Sequence, residues 1–464
     1  MSKSITHSTA KNDIGFSVFD QLSFSNNALP LGDVLSAESI RELFVDSDAL
    51  FGYGHDDFWN TGLTLWSFIC QILHDGKQRS CNAAITFTTR YLLEQGQETP
   101  SPDTGEYCRA RHKLDVDTIK RIVSGIASRI AVLGPKHWQW LGRHVKLVDG
   151  FTFTMPDTPI NQESFPQMKS QKPGVGYPIA RACVVLSLET ACIDNIAIGP
   201  YAGKETGETA LLRKLLATFQ PGEIVLADRY FCSFFMLAIL KSRGMDVCMR
   251  LHQRRHIDPS NVRWLGKNDY VDVWQRPQKA KWMSQDLYKA IPKQMEIRIL
   301  DFDAKDETKS ESLQVVTTLL DHKTYLACEI GALYGYRWFA ELDIFSIKTS
   351  LNLDFVRCKS PDMVLLEVWI TLLAYNMVRL VCAQAALVHD KLPRKMSFSI
   401  ASNVLLSQWL MPPDISIRKA LGKYNLLQIA SNEVGNRPGR IEPRVVKRRP
   451  KPYKLMTKPR DQYK

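Results

Sequence analysis

Apolar, strand-like segments that end on a carboxylate alternate with helical segments between residues 144 and 251, and this alternation most narrows the choice of fold. Two of the segments, residues 145–152 and 223–228, carry Asp149 and Asp228. The remaining segments are two strands within residues 180–198, helices at 206–219 and 233–243, and a fifth strand at 245–251. This order predicts an α/β fold with a mixed sheet flanked by helices, in which both aspartates lie at strand ends.

A second informative stretch, residues 334–348, carries four polar residues at helical spacing. Tyr334, Arg337, Glu341 and Lys348 are separated by three, four and seven positions, so one helix would place all four on one side. That side could hold a metal ion and a phosphate together. The simpler alternative is a solvated face with an Arg337–Glu341 pair four residues apart.

Three carboxylates therefore stand out: Asp149, Asp228 and Glu341. Oxygen ligands from separate elements that converge in one cleft are what paired magnesium ions need, and such a pair can activate water for phosphodiester displacement. Taken alone, an aspartate at a strand end is more often a helix cap or a turn former. Nearby Asp157 could be a further carboxylate of this kind, but its Pro-rich surroundings favour a turn.

The charge of the chain favours a polyanionic partner. The 464 residues carry a formal net charge of +12 with a pI near 9.1, and two to four domains are expected for this length. From Arg437 onward there are eleven Lys and Arg against Glu442 and Asp461. This tail, which includes Lys447, Arg448 and Arg449, is predicted to contact phosphates, with a merely solubilising role as the alternative.

Composition also indicates the compartment. No run of about 18 uncharged apolar residues is present, which argues against a membrane span. The first residues contain no apolar signal region, and the ten cysteines form no C-x-x-C pair. We therefore expect a cytoplasmic protein with reduced thiols.

Residues 252–312 interrupt the alternation with basic and aromatic sequence. Arg254 and Arg255 precede three tryptophans, Trp264, Trp274 and Trp282. Cations that meet phosphates and aromatic faces that stack on bases would suit a nucleic-acid surface. The alternative is that the tryptophans form a small core of the insertion itself. Residues 313–320 then read as a strand that returns to the main sheet, and 364–387 as a buried helix.

The spacing of Tyr334, Arg337, Glu341 and Lys348 matches the Y-(2)-R-(3)-E-(6)-K signature of bacterial cut-and-paste DDE transposases of the insertion-sequence-four family. Asp149-Gly150 resembles the surroundings of that family's first catalytic aspartate, although Phe151 separates Gly150 from Thr152. Further similar segments are Asp228-Arg229-Tyr230, Met155-Pro156-Asp157-Thr158, Asn161, Pro166-Gln167 and residues 174–178. The resemblance runs from about Phe58 to the tail.

The resemblance implies an RNase H-like mixed sheet flanked by helices, with a β-rich insertion, a helical N-terminal domain and a basic C-terminal region. The implied division is a helical DNA-binding region at 1–135, the first part of the catalytic core at 136–251, the insertion at 252–312, the second part of the core at 313–395, and the C-terminal region at 396–464.

The resemblance also implies the reaction and its site. Asp149, Asp228 and Glu341 would be catalytic and would hold two Mg²⁺ ions, for which Mn²⁺ can substitute. Tyr334, Arg337 and Lys348 would contact phosphates near the cleaved end.

The expected partners are double-stranded DNA, namely the inverted repeats of the element and the target. Water would cut at the end of the element, and the freed 3′ hydroxyl would attack target DNA. The protein would act as a homodimer on DNA, without a membrane partner, and would be nucleoid-associated when bound. Relatives hold a flipped base against a tryptophan just before the last strand. Residues 314–317 contain none, so Trp264, Trp274 or Trp282 would have to serve, or flipping is absent.

Two alternatives remain from the residues themselves. One is an RNase H-like nuclease or resolvase that cuts without joining. The other is a non-catalytic, transposase-derived DNA-binding protein, which the complete set of three carboxylates argues against.

Overall fold

A computed structural model describes residues 15–20, 30–52, 54, 57–74, 79–302, 313–410, 415–434, 456–459 and 462. Before the sheet, the helices are α1 (Ala37–Asp46), α2 (Thr61–Leu73), α3 (Cys81–Glu94), α4 (Thr104–His112) and α5 (Val116–Leu133). Side chains of Ser36, Asn60, Ser80 and Asp115 accept hydrogen bonds from the first turns of α1, α2, α3 and α5, which fixes where those helices begin.

The central sheet combines parallel and antiparallel strands. Its first strands and helices are β1 (Val145–Thr154), α6 (Pro159–Ser164), β2 (Ile179–Ser187), β3 (Ile193–Pro200), α7 (Glu208–Lys214), β4 (Ile224–Ala227), α8 (Phe234–Ser242) and β5 (Asp246–Arg250). β1 pairs antiparallel with β2 and parallel with β4, and β4 pairs parallel with β5. The predicted order of strands and helices is confirmed, except that the short helix α6 between β1 and β2 was not predicted.

Two of the boundaries that differ from the sequence prediction have a clear structural cause. β1 runs to Thr154, because its residues up to that point pair with β2. α7 ends at Lys214 rather than near residue 219. The next turns are closed by hydrogen bonds between residues three apart, not four, from Leu215 N to Leu212 O and from Thr218 N to Leu215 O.

The strands of residues 252–312 extend the same sheet. They are β6 (Arg263–Gly266), β7 (Asp269–Gln275) and β8 (Gln294–Phe302), with the short helix α9 (Gln285–Ala290) between β7 and β8, and β9 (Leu313–Thr317) follows. β9 pairs with both β5 and β8, which gives the order β3-β2-β1-β4-β5-β9-β8-β7-β6. The expected return of residues 313–320 to the main sheet is confirmed.

The last helices pack the sheet against the N-terminal helices. They are α10 (Ala327–Gly335), α11 (Trp338–Phe345), a π-helical turn (Ser346–Ser350), α12 (Pro361–Val388), α13 (Phe398–Leu410) and α14 (Ile415–Ser431). By length and composition α12 could cross a membrane, but 94% of its apolar window is buried inside the protein. It is the core helix that its sequence predicts.

A buried ion network ties α11 to this core. Asp343 accepts from Arg379 Nη2 of α12 at 2.9 Å through Oδ1, and from Arg394 Nη2 at 2.8 Å through Oδ2. Arg379 also donates to the hydroxyl of Tyr375, and Arg394 Nη2 donates to the carbonyl of Ser187 at the end of β2. Because all these groups are out of water, the position of α11 is fixed by charge as well as by packing.

We predict that Asp343→Ala lowers the free energy of unfolding by roughly 3–5 kcal/mol, because two buried guanidinium groups lose their shared carboxylate. Thermal or urea unfolding measures the loss. The matched control is Asp117→Ala, which removes an exposed pair with Lys120 and should cost less than about 1 kcal/mol. Equal effects of the two changes would contradict the role given to the network.

Candidate active site

The register of the two parallel strands places Asp149 beside Asp228. Val148 is the last residue of β1 paired with β4, opposite Ala227, so each aspartate is the next residue along its chain. Asp228 follows β4, as predicted. The sequence predicted that Asp149 ends a strand, and this is wrong. Asp149 lies inside β1, because β1 continues along β2 beyond the end of β4. Both carboxylates therefore emerge at the carboxyl end of the parallel pair.

Each aspartate also forms the local turn contact that the sequence left open. Asp149 Oδ1 accepts from Gly150 N at 2.8 Å, and Asp228 Oδ1 accepts from Tyr230 N at 2.8 Å. These bonds fix the side chains and occupy one oxygen of each. Neither contact uses the second oxygen.

Arg337 connects the first aspartate to the glutamate. Its Nη2 donates to Glu341 Oε1 at 2.6 Å, and its Nη1 lies 3.6 Å from Asp149 Oδ2. The predicted Arg337–Glu341 pair therefore exists, but it is part of the site rather than of a solvated face. One guanidinium partly neutralises two carboxylates from different elements.

The prediction that residues 334–348 form one regular helix is wrong. Tyr334 lies in α10, and the chain tightens at Tyr336 and Arg337, where Arg337 N bonds to Tyr334 O and Ala340 N to Arg337 O. After α11 the chain widens into the π-helical turn that contains Lys348. Tight and wide turns of this kind are common at functional sites, and they rotate the four side chains away from ideal helical spacing.

Tyr334 lies near Arg337 and Asp228, whereas Lys348 is held by other groups. Tyr334 is buried, and burial foremost raises the pKa of its hydroxyl to about 12, while Arg337 lowers it. Lys348 Nζ donates to the carbonyl of Thr152 on β1 at 3.1 Å and lies 2.9 Å from Asp354 Oδ1. Lys348 is thus held along the continuation of β1 rather than beside Glu341.

Burial raises the pKa of Asp149 to about 6. The hydrogen bond from Gly150 and the charge of Arg337 lower it, while the neighbouring charges of Asp228 and Glu341 raise it further. Asp149 thus lies within electrostatic reach of both other carboxylates.

This set of hard oxygen donors fits a divalent cation, because the cation would relieve their mutual repulsion. Among the residues that the structure describes, however, no three Asp, Glu, His or Cys side chains lie close enough together to bind one ion. Arg337 bridges Asp149 and Glu341, so its guanidinium would have to yield for both to reach one ion.

A fourth carboxylate, Glu208, borders the site and was missed by sequence reasoning. A Cβ atom placed on Gly150 would lie 2.3 Å from the Glu208 carboxyl carbon, so the glycine leaves the space that the glutamate fills. Burial foremost raises the pKa of Glu208, Arg181 lowers it, and Asp228 raises it. The Asp149-Gly150 pair was the available signal, since a glycine inside a strand often marks a close approach.

The three tryptophans of residues 252–312 have different environments. Trp264 is 54% exposed and lies 4.9 Å from Tyr270, so it can receive a base. Trp274 is 1% exposed with Arg255 3.7 Å from its ring centre, which favours the alternative that this tryptophan belongs to a core. Trp282 is half-buried beneath Arg213.

The basic candidates divide in the same way. Arg254 is exposed, whereas Arg255 is half-buried over Trp274. Lys447, Arg448 and Arg449 lie outside the described residues.

Comparison with known proteins identifies the class. The family model for the transposase DDE domain matches residues 140–377, slightly more than half of the chain. The chain is 25% identical over 357 residues to Transposase InsG for insertion sequence element IS4 of Escherichia coli (strain K12), covering 74% of this chain and 76% of that protein. The chain belongs to the DDE transposase family, in the IS4 group, which confirms the resemblance seen in the sequence.

Among solved structures, the piggyBac transposase in a synaptic complex with hairpin DNA is similar to the chain with a TM-score of 0.40 and 10% identity. The similarity covers 92% of this chain and 86% of that one. It is too slight to assign any element or residue.

We predict that Gly150→Ala destabilises the chain by about 1–3 kcal/mol, because the new methyl group displaces the Glu208 carboxyl. In a Glu208→Ala background the same change should cost close to nothing. Unfolding of the two single variants and the double variant measures the coupling between the positions. Additive effects would show that the two residues do not meet.

We predict that Asp149→Asn stabilises the chain at pH 8 by about 1–3 kcal/mol. The pKa of Asp149 is raised in the folded chain from 3.8 to about 6. Its contribution to stability is therefore complete below pH 3.8 and is lost as pH rises through 6. Unfolding at pH 4 and pH 8 tests this expectation. The advantage of the variant should be absent at pH 4, and no gain at pH 8 would contradict the shift.

Proposed function

We propose that the chain binds the terminal inverted repeats of its own insertion sequence and catalyses magnesium-dependent DNA cleavage and strand transfer. The observation that carries the proposal is the register that sets Asp149 beside Asp228 at the carboxyl end of the parallel strands, together with Arg337, which bridges Asp149 and Glu341. Clustered carboxylates with an adjacent arginine match what phosphoryl transfer requires: ligands for cations and a donor for phosphate oxygens.

The cation supplied by the medium would be held by the three carboxylates. Asp149, Asp228 and Glu341 would bind two Mg²⁺ ions, with Mn²⁺ as a substitute, and the ions would supply a reactive water and neutralise charge on the phosphate. Glu208 would add negative charge beside Asp228 and so favour cation binding.

The cations of the chain would act on the DNA. Arg337 would exchange one of its carboxylate partners for a phosphate oxygen when DNA enters, which keeps its charge compensated throughout. Lys348, which donates to Thr152 O, would contact the phosphate backbone of DNA along the end of β1. Tyr334, being buried, would position Arg337 rather than contact DNA extensively.

More distant contacts extend this path. Trp264 is the proposed stacking platform for an unpaired base, because its ring is exposed, and Arg254 would contact phosphates nearby. Arg255 and Trp282 would support that surface from below. The basic tail with Lys447, Arg448 and Arg449 would add affinity that depends on salt concentration.

We further propose that β1 to β5 with their helices form an RNase H-like core, and that the domain boundaries implied by the sequence hold. The protein would act in the bacterial cytoplasm, associated with the nucleoid when bound, as a homodimer that pairs two element ends. The mixed sheet with its carboxylates at the end of the parallel strands supports the core assignment.

The second candidate is a nuclease that cuts without joining. The same carboxylates would serve it, so the distinction lies in the fate of the 3′ hydroxyl. A duplex that carries the inverted repeat flanking the gene, incubated with target plasmid and Mg²⁺, separates the two. Joined products support the transposase, and release of the end without joining supports the nuclease.

We predict that Asp149→Asn, Asp228→Asn and Glu341→Gln each reduce end cleavage by at least about 1,000-fold, because the centre loses a negative ligand. Binding of the end duplex, measured by gel shift without divalent metal, should remain within about threefold of wild type. Asp157→Asn is the matched control, since Asp157 is exposed and bonds only to Gln162 among the described residues, and it should cut normally. Cleavage by any of the three variants at the wild-type rate would refute the site assignment.

A further inference from the structure

A cavity of about 600 Å³ lies between the N-terminal helices and the start of α12. None of Asp149, Asp228 and Glu341 lines it. Its walls come from α2, from the first residues of α3, from α4 and from the segment that leads into α12. The volume is in the range of pockets that hold small ligands.

Arg111 of α4 is a buried cation that lines this cavity. Its side chain lies between Phe68 and Tyr107, with its guanidinium carbon 4.8 and 5.1 Å from the two ring centres, and the residue is only 8% exposed. Within the described part of the chain it has no carboxylate partner. Its Nε has no acceptor, and its Nη2 reaches only Cys108 Sγ at 3.7 Å. A buried charge without a counter-charge is costly, so the arrangement calls for an anion.

Among the described residues that line the cavity, the single carboxylate is Glu367, and it is already engaged. Its Oε1 lies 3.3 Å from Arg79 Nη2, and its Oε2 accepts from the backbone N–H groups of Arg357 and Cys358. The side chains of Arg357 and Lys359 add positive charge at the exposed rim. Among the described lining side chains, positive charges therefore outnumber negative ones.

Two helix N-termini also open onto the cavity. Ser80 and Ser360, the residues before the first turns of α3 and α12, both line it. Ser360 makes no capping hydrogen bond with its side chain. The dipoles of the two helices favour an anion here, although the Ser80 side chain already accepts from Ala83 N and α12 begins with Pro361, which has no N–H. Phe68 and Met363 form an apolar wall beside the cations.

We propose that this cavity binds a phosphate-bearing nucleotide, with the phosphate against Arg111 and the base or sugar against Phe68 and Met363. The combination of a planar guanidinium, helix N-termini and an apolar wall fits a nucleotide better than a small inorganic anion. The nucleotide is either free or the terminal residue of a DNA strand. The site does not depend on the proposed cleavage reaction.

The binding test uses the full chain in EDTA, so that catalysis plays no part. Calorimetric titration with a deoxynucleoside monophosphate, and fluorescence anisotropy with a labelled 5′-phosphorylated duplex, compare wild type with Arg111→Gln and with the double variant Arg357→Gln/Lys359→Gln. Nucleotide binding should weaken by about tenfold or more in both variants. The matched control is Arg90→Gln on the neighbouring helix α3, where Arg90 pairs with exposed Glu94, and it should bind as wild type does.

Thiol reactivity gives a second readout within the wild-type protein. Cys81 and Cys108 are half-buried in the cavity wall, whereas Cys328 is exposed and lies outside it. Bound mononucleotide should slow the alkylation of Cys81 and Cys108 and leave that of Cys328 unchanged. Peptide mass spectrometry follows the three thiols separately.

The outcomes separate the two sources of the nucleotide. If both variants also lose duplex binding and the mononucleotide competes with the duplex, the ligand is a DNA terminus. If only mononucleotide binding is lost, the ligand is a free nucleotide. If Arg111→Gln fails to fold, the exposed double variant decides. Two results would overturn the proposal. One is a wild type that binds no nucleotide; the other is unchanged nucleotide binding in the double variant together with no protection of Cys81 and Cys108. Neither result would change the loss of cleavage expected for Glu341→Gln, so the two proposals fail separately.

Discussion

The parallel register between β1 and β4 is the constraint on which the candidate site depends. Because Val148 pairs with Ala227, the two following residues, Asp149 and Asp228, leave the paired strands side by side. A shift of one residue in either strand would send one aspartate to the opposite face of the sheet. Hydrophobic burial of the strand residues therefore sets the geometry of the carboxylates, although it carries no chemistry itself.

The third carboxylate reaches the site from a helix that is fixed by charge. Asp343 holds α11 between Arg379 and Arg394, while Glu341 on the same helix faces Arg337. Asp149 is half-buried, and burial raises the pKa of its carboxyl to about 6. On α11, the charge of Asp343 is therefore balanced by two arginines in the core, whereas Asp149 and Glu341 share the single guanidinium of Arg337.

Much of this arrangement was predictable from the chain, because it rests on local patterns. Strand and helix alternation, the carboxylates and the family signature all follow from periodicity and spacing. The broken helix at Tyr336, the approach of Glu208 to Gly150, and the burial of Trp274 and Arg111 depend on contacts between distant segments. The sequence pattern of basic and aromatic residues could not distinguish an exposed Trp264 from a buried Trp274, since both lie on strands of the same sheet.

The most direct test of the account is a change in metal specificity. Glu341→Cys and Asp228→Cys would each replace an oxygen donor by sulfur, which binds Mg²⁺ poorly and Mn²⁺ better. Each variant should fail to cleave the end duplex with Mg²⁺ and should recover part of the cleavage rate with Mn²⁺. Rates that are the same with both ions, whether high or low, would contradict the claim that these side chains bind the catalytic metal.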